Sequence, residues 1–285
     1  MVDKKSILKR ILRLYWLYAK MDTGIMFRDI RMFIGWMITD SIANVSMLGG
    51  IFFLSQRFGG VGGMSSAEVL FMLGYSTLTT GLYLMFFNNC NVGNISRVIG
   101  RGQLDHKLIQ PLPINVQLMT EGFAPISGSA NLWIGIVICV IALSQLHITV
   151  TIWWVLLLII SLATTMIILL GMLYLASFVT FYAPVAAEEI TSQVLNDLNW
   201  TLSSYPLSGM PSAVRLILIT ILPSGLTAWF PACAMLGKSP FNLTICFPVA
   251  VAAVLVFLAT ITFKKGLKYY EKIGSQRYSD FGHRR

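Results

Sequence analysis

The sequence predicts an all-α, polytopic membrane protein, and three observations lead there. Of 285 residues, 56% are hydrophobic and only 12% charged, whereas soluble domains carry about 25% charged residues. The mean hydropathy is +0.73. Several apolar runs exceed the roughly 20 residues needed to cross ~30 Å of hydrocarbon, and none alternates in the ten-residue pattern of a barrel strand.

Six transmembrane helices are expected, at about 32–56, 69–90, 115–143, 152–183, 215–236 and 241–263. Together they make a 32–263 membrane domain. Residues 1–31 precede it. There Ile7, Ile11, Leu14 and Tyr18 form one helical stripe, and Lys9, Arg13 and Lys20 fall on the other face. This pattern predicts an amphipathic helix lying in the interface, with its cations against lipid headgroups. No small-residue cleavage site follows a short apolar core, so no cleavable signal peptide is expected. "FGGVGGMSS" after the first span reads as a flexible outer loop, and "SQLHITVT" as a short outer loop with His147 at its surface. The fourth run is longer than one crossing needs, which implies tilt or an extension. Residues 184–214 form an acidic segment expected to be cytoplasmic or interfacial. Pro223, Gly225 and Pro231 then predict a fifth span kinked or broken in its outer half. Residues 264–285 make a basic cytoplasmic tail.

The net charge of +9 follows the membrane and is no nucleic-acid signature. Lys and Arg number eight in 1–31, three in 91–114, one at Arg215 and seven in 264–285, leaving Arg57 and Lys238 at the other ends. Nineteen against two places both termini in the cytoplasm of a cell-membrane protein, and an even number of spans requires the same.

Catalysis has little to stand on. His106, His147 and His283 lie on separate segments, and no HExxH or GxSxG occurs. "GKS" at 237–239 lacks the glycine five positions earlier that a phosphate loop needs, since residue 232 is Ala. Cys90, Cys139, Cys233 and Cys246 form no ligand pattern and read as small apolar packers. Two acids fall within spans. Asp40 in mid-helix costs roughly 2.5–3.5 kcal/mol on insertion scales, so it faces protein, water or a partner. It is read either as a pathway-lining group or as an interhelical polar group clustered with Ser41 and Asn44. Glu121 has the same two readings, or is merely interfacial. Gly122, Ala124, Ser127, Gly128, Ser129 and Ala130 predict close helix packing.

Between spans two and three lies the polar elbow 91–114, with "IGRGQLDHKLIQPLPI" at its centre. Val92, Ile95 and Ile99 share a helical face. "GRG" permits a tight reversal because glycine accepts positive φ. Leu104 and Leu108 then lie one turn apart, and Pro111 and Pro113 stop the helix. A short helix parallel to the membrane is expected, offering Asp105, His106 and Lys107 to the cytoplasm.

"I-G-R-G-Q-L-D-x-x-L-I-x-P-L-P" resembles the elbow of ABC transporter type-2 permeases, the exporter-type membrane subunits. "YPLSGMPSAVRLILITILPSGLTAWFPACAMLG" resembles the fifth-span region of one branch of that group. The resemblance implies a permease subunit of an ATP-driven exporter of a hydrophobic or amphipathic substrate. It implies a second permease, identical or a sister, and a separate cytoplasmic ABC ATPase dimer that holds the ATP and Mg, with no cofactor on this chain. The elbow would be the coupling helix: Gly100, Gly102 and Pro111 shape it, His106 lies on it, and Leu104, Asp105 and Leu108 insert into a groove of the ATPase. Two other readings stand beside it: an ion- or proton-coupled secondary transporter using Asp40 and Glu121, and a non-transporting scaffold.

Overall fold

A chain this apolar satisfies its own backbone in lipid by winding into helices. All regular structure among the described residues is helical, apart from an isolated bridge between Val61 and Met64. The computed structural model describes residues 4–87, 94–189, 191, 195–238 and 246–274. Cys90, Val92, His283, the end of the expected second span, the start of the sixth and the last part of the tail lie outside the described residues.

Helix α1 spans Lys4–Arg28 and α2 spans Ile30–Arg57. Asp29 separates them and caps α2, its carboxylate accepting from the Met32 amide at 3.1 Å. On α1, Ile11, Leu14, Tyr15 and Tyr18 are half-buried, while Leu8, Leu12 and Trp16 are left open.

The glycine-rich segment after α2, expected as a loop, makes a tight reversal. Gly62 and Gly63 take φ of 59° and 76°, which glycine adopts without strain. Val61 and Met64 exchange backbone hydrogen bonds of 3.0 and 3.1 Å, Met64 is buried, and Gly62 abuts Gly209. A capping box then opens α3 (Ser66–Phe87): the Ser65 amide donates to Glu68 at 2.8 Å, and the Glu68 amide to the Ser65 hydroxyl at 3.4 Å.

After α3 come α4 (Ile95–Gly100), α5 (Gln103–Leu108), α6 (Ile114–Thr120) and α7 (Ala130–Leu146). The expected third span 115–143 is thus two helices with a break at 121–129. Gly122 turns the chain with φ of 75°, and Pro125 has no amide for a continuing helix. The 17 residues of α7 rise only about 26 Å, short of the hydrocarbon thickness on their own. The break packs on α3, where the Ala124 amide donates to the Met85 carbonyl at 2.9 Å. A Cβ at Gly81 would overlap the Leu132 backbone, one at Gly135 the Leu78 backbone, and one at Gly128 would come within 2.7 Å of Met85 Cα. The two helices therefore meet backbone to backbone along a glycine seam.

Helix α8 (Ile152–Thr180) runs parallel to α13 (Cys246–Ile273). Leu255 fits against Gly171, Phe181 stacks edge-on to Phe263 with centroids 5.7 Å apart, and Tyr182 lies 4.4 Å from Tyr269. With 29 residues, α8 rises about 43 Å, so it exceeds one perpendicular crossing.

Two parallel helices require the chain between them to return to the end where α8 began, and α9 (Pro184–Glu189) and α10 (Leu195–Ser203) make that return. Glu188 sits at the elbow. Ser203 shares a 3.1 Å hydrogen bond with Ser76, midway along α3. Gly209 meets Gly62 at the far end. The 184–214 segment therefore does not stay at the elbow end, as its position between two long apolar runs had suggested. Helices α11 (Ser212–Thr220) and α12 (Trp229–Met235) follow. A 3₁₀ turn at Pro223–Leu226 lies between them, and the two arms are bent by 74°. Leu222 lies beside Met172, deep in α8. Met235 accepts from Trp154 Nε1 at 3.3 Å near the start of α8, and Lys238 pairs with Glu68 at 2.7 Å. Both ends of this pair lie at the far end, so the expected fifth span 215–236 dips and returns.

Four described helices, α2, α3, α8 and α13, are long and apolar enough to cross a membrane. Cys233 is buried and Cys246 exposed, and both are free thiols.

The seam makes a sharp prediction. Gly81→Leu or Gly135→Leu should abolish the monodisperse size-exclusion peak of detergent-extracted protein. Gly35→Ala, where an added methyl meets nothing within 4 Å, should leave it unchanged.

Candidate functional site: the elbow and the break beside it

The elbow is rigidly attached to the bundle. Gly102 takes φ of 68° and reverses the chain between α4 and α5, as the GRG triplet predicts. Gly100 is required for a second reason: a Cβ there would come within 2.7 Å of the Glu188 side chain and 2.9 Å of the Pro184 carbonyl, so it allows α4 to lie against α9. Ile95, Val98, Ile99 and Leu104 are buried in one cluster with Leu118, Phe181, Phe263 and Tyr270.

Two carboxylates tie the elbow down. Glu188, itself buried, accepts from Arg101 Nε at 2.8 Å, and Arg97 lies 3.7 Å away. Lys107 is buried and pairs with Glu121, a contact between α5 and the start of the break. Gln117 adds two hydrogen bonds, its amide donating to the carbonyls of Lys107 at 2.9 Å and Leu112 at 2.7 Å. Hydrogen bonds of this kind contribute about 0.5–1.5 kcal/mol each when well formed.

Of the residues the resemblance assigns to an ATPase groove, Leu104 is fully buried, because the turn at Gly102 aims it into the bundle. Asp105 is half-exposed, and Leu108 is 38% exposed. Lys107, expected to face the cytoplasm, points inward to Glu121. The outward surface is instead His106, Leu108, Ile109, Gln110 and Pro111, with Ile109 81% exposed.

The break is held from its other side by α1. Asp22 is buried, and its carboxylate accepts from the Ile126 amide at 2.8 Å, the Ser127 amide at 3.1 Å and the Ser127 hydroxyl at 2.5 Å. Tyr15 donates to the Met119 carbonyl at 2.8 Å and meets Phe123 edge-on at 5.1 Å. Burial first, and then the negative charge of Glu121, push the Tyr18 phenol above its ordinary range. Glu121 pairs with Lys107 of α5. Asp40 lies apart from the elbow, on a groove beside the break, and Asn44 donates to its backbone carbonyl at 2.8 Å.

Sequence reasoning missed Asp22, Gln117, Glu188 and Ile109. The first two were legible as polar residues in apolar surroundings. Glu188 was visible only as part of an acidic run, with nothing in the sequence to bring it to Arg101.

Apolar helices long enough to span a bilayer, joined by a tethered polar elbow, make a multi-pass membrane protein. Residues 25–274 match the ABC-2 family transporter proteins, and the chain belongs to that family of ABC transporter permeases. No curated protein and no solved structure matches it.

A charge swap tests the elbow's anchor. Glu188→Arg should lower the melting temperature by a few degrees, corresponding to about 1 kcal/mol for this partly exposed pair. Adding Arg101→Glu should recover much of the loss in thermal unfolding followed by intrinsic fluorescence.

Proposed function

We propose that the chain is the permease subunit of an ATP-driven exporter of a hydrophobic or amphipathic substrate. ATP and Mg are bound by a separate cytoplasmic ABC ATPase dimer. A second permease, identical or a sister, completes the path. The elbow is the coupling helix, docking by its outward face of His106, Leu108, Ile109, Gln110 and Pro111 into a groove of the ATPase. ATP favours one state of the ATPase dimer, and the ion pairs at Lys107 and Glu188 carry that preference into the bundle. The observation that supports this reading best is the exposed Ile109 and Leu108 pair on a turn whose other face is fixed in the core.

In this reading the elbow end is cytoplasmic, as the excess of Lys and Arg near it favours, and so are both termini. The chain crosses six times. The third crossing is α6 with α7, and the fifth is the α9–α10 return, with α11 and α12 re-entering from the outer face.

Two experiments test it. ATPase activity should copurify with the tagged chain and be lost by at least about tenfold in Leu108→Asp/Ile109→Asp, with the elution profile unchanged. An intact complex in that variant would remove the coupling claim. With Cys90, Cys139, Cys233 and Cys246 replaced by Ser, His106→Cys should react with a membrane-impermeant maleimide only in inverted vesicles, and Ser212→Cys only in whole cells. Labelling of Ser212→Cys from the cytoplasm would restore the fifth span to 215–236.

A further inference from the structure

A groove opens beside the break, between the start of α2 and the inner end of α3. Its α2 wall is one helical stripe, Asp29, Met32, Phe33, Trp36 and Asp40, at intervals of three or four residues. Leu84 and the 124–128 turn form the opposite wall. The space is about 470 Å³, within the range of small-molecule sites. Met32 and Trp36 stay largely exposed, so the groove is open along its side, toward lipid or a partner.

Its electrostatics are unlike the rest of the protein. In a chain of net charge +9, this groove is lined by two carboxylates and by neither Lys nor Arg. Arg28 and Arg31 flank Asp29 in sequence, but neither lines the space. The polar neighbours do not discharge Asp40. Asn44, a neutral amide, donates to the Asp40 carbonyl and also reaches its carboxyl, the Ser127 hydroxyl is taken by Asp22, and no cation pairs with Asp40 among the described residues. An acid a third of the way along a membrane helix, with an amide but no cation beside it, leaves room for an external cation.

We propose that this groove binds a monocationic amphiphile, with its charge at Asp40 and its apolar body against Phe33, Trp36 and Leu84. A bare metal ion fits poorly, because the hard cations need six or more oxygens and the walls are mainly apolar and aromatic. An anion would meet two like charges. A lipophilic cation gains from the carboxylate and from the face of Trp36 together, and reaches both through the open side. The proposal names the substrate class for the permease reading and rests on it only for the meaning of the site.

The test is equilibrium dialysis of radiolabelled tetraphenylphosphonium against the full chain in phosphatidylcholine nanodiscs, without ATPase. Saturable binding is expected. Asp40→Asn should weaken it by at least about tenfold and Trp36→Ala by about threefold to tenfold. Asp40→Glu, which keeps the charge, should stay within about threefold and reports that the site still folds. Tetraphenylborate, matched in size and opposite in sign, should not compete. Absence of saturable binding, unchanged binding in Asp40→Asn, or equal displacement by tetraphenylborate would overturn the proposal. Each of those results leaves ATPase copurification unaffected, so failure of the groove and failure of the permease reading are read separately.

Discussion

The position of the elbow depends on how closely α3 and α7 approach each other. The elbow is a polar excursion from one stem and back into another, and its place is only as fixed as the distance between those stems. Gly81 and Gly135 let the backbones touch, and Gly128 extends the contact to the break. Without a hydrophobic force between helices in lipid, such van der Waals contact over a glycine seam is what holds two apolar helices in one register. Tyr75 then fixes α3 to α8 through a 3.1 Å hydrogen bond to Thr165, and Ser76 fixes it to α10. One helix thereby aligns three others.

On that frame the charges at the elbow end have specific duties. Glu188 draws Arg101 and Arg97 toward α9, and Glu121 draws Lys107 inward. Pairing engages five charged groups around the elbow, of which Glu188 and Lys107 are buried and Arg101 stays exposed. What remains exposed is a compact patch with Ile109 at its most open point. A turn with a fixed inner face and an apolar outer one transmits force, because displacement of the outer face cannot be absorbed by the turn alone.

Much of this was legible in the sequence, and the failures share a cause. The all-α class, the long apolar helices and the reversal at Gly102 follow from composition and local stereochemistry, which a linear reading can weigh. The 215–236 run reads as a span because its composition is that of one. Whether an apolar run crosses or returns depends on where its ends are tied, here by Gly209 to Gly62 and Lys238 to Glu68, partners about 147 and 170 residues away in sequence. The true return, α9 with α10, was hidden because its polar side chains meet other polar side chains, as Ser203 meets Ser76, and hydropathy counts them as solvent-facing. Leu104 was misplaced for a smaller reason. Helical spacing sets Leu104 and Leu108 on one side, but a six-residue helix entered through a left-handed glycine is oriented by its neighbours.

The break between α6 and α7 is where elbow and groove meet, and this gives its irregular backbone a mechanical reading. Glu121 at its first residue is held by α5 through Lys107, and Ala124 to Gly128 at its other end form a wall of the groove. An uninterrupted helix would carry a push on the elbow along its axis to the far end of the bundle. A chain that turns at Gly122 and Pro125 takes up the same push within a few residues, at the depth of Trp36 and Asp40. Asp22 limits the movement, since three hydrogen bonds to Ile126 and Ser127 tether the turn to α1. Under the proposed coupling, the groove wall is therefore the first part of the membrane domain displaced when the elbow moves. Helix α1 sets how far it goes.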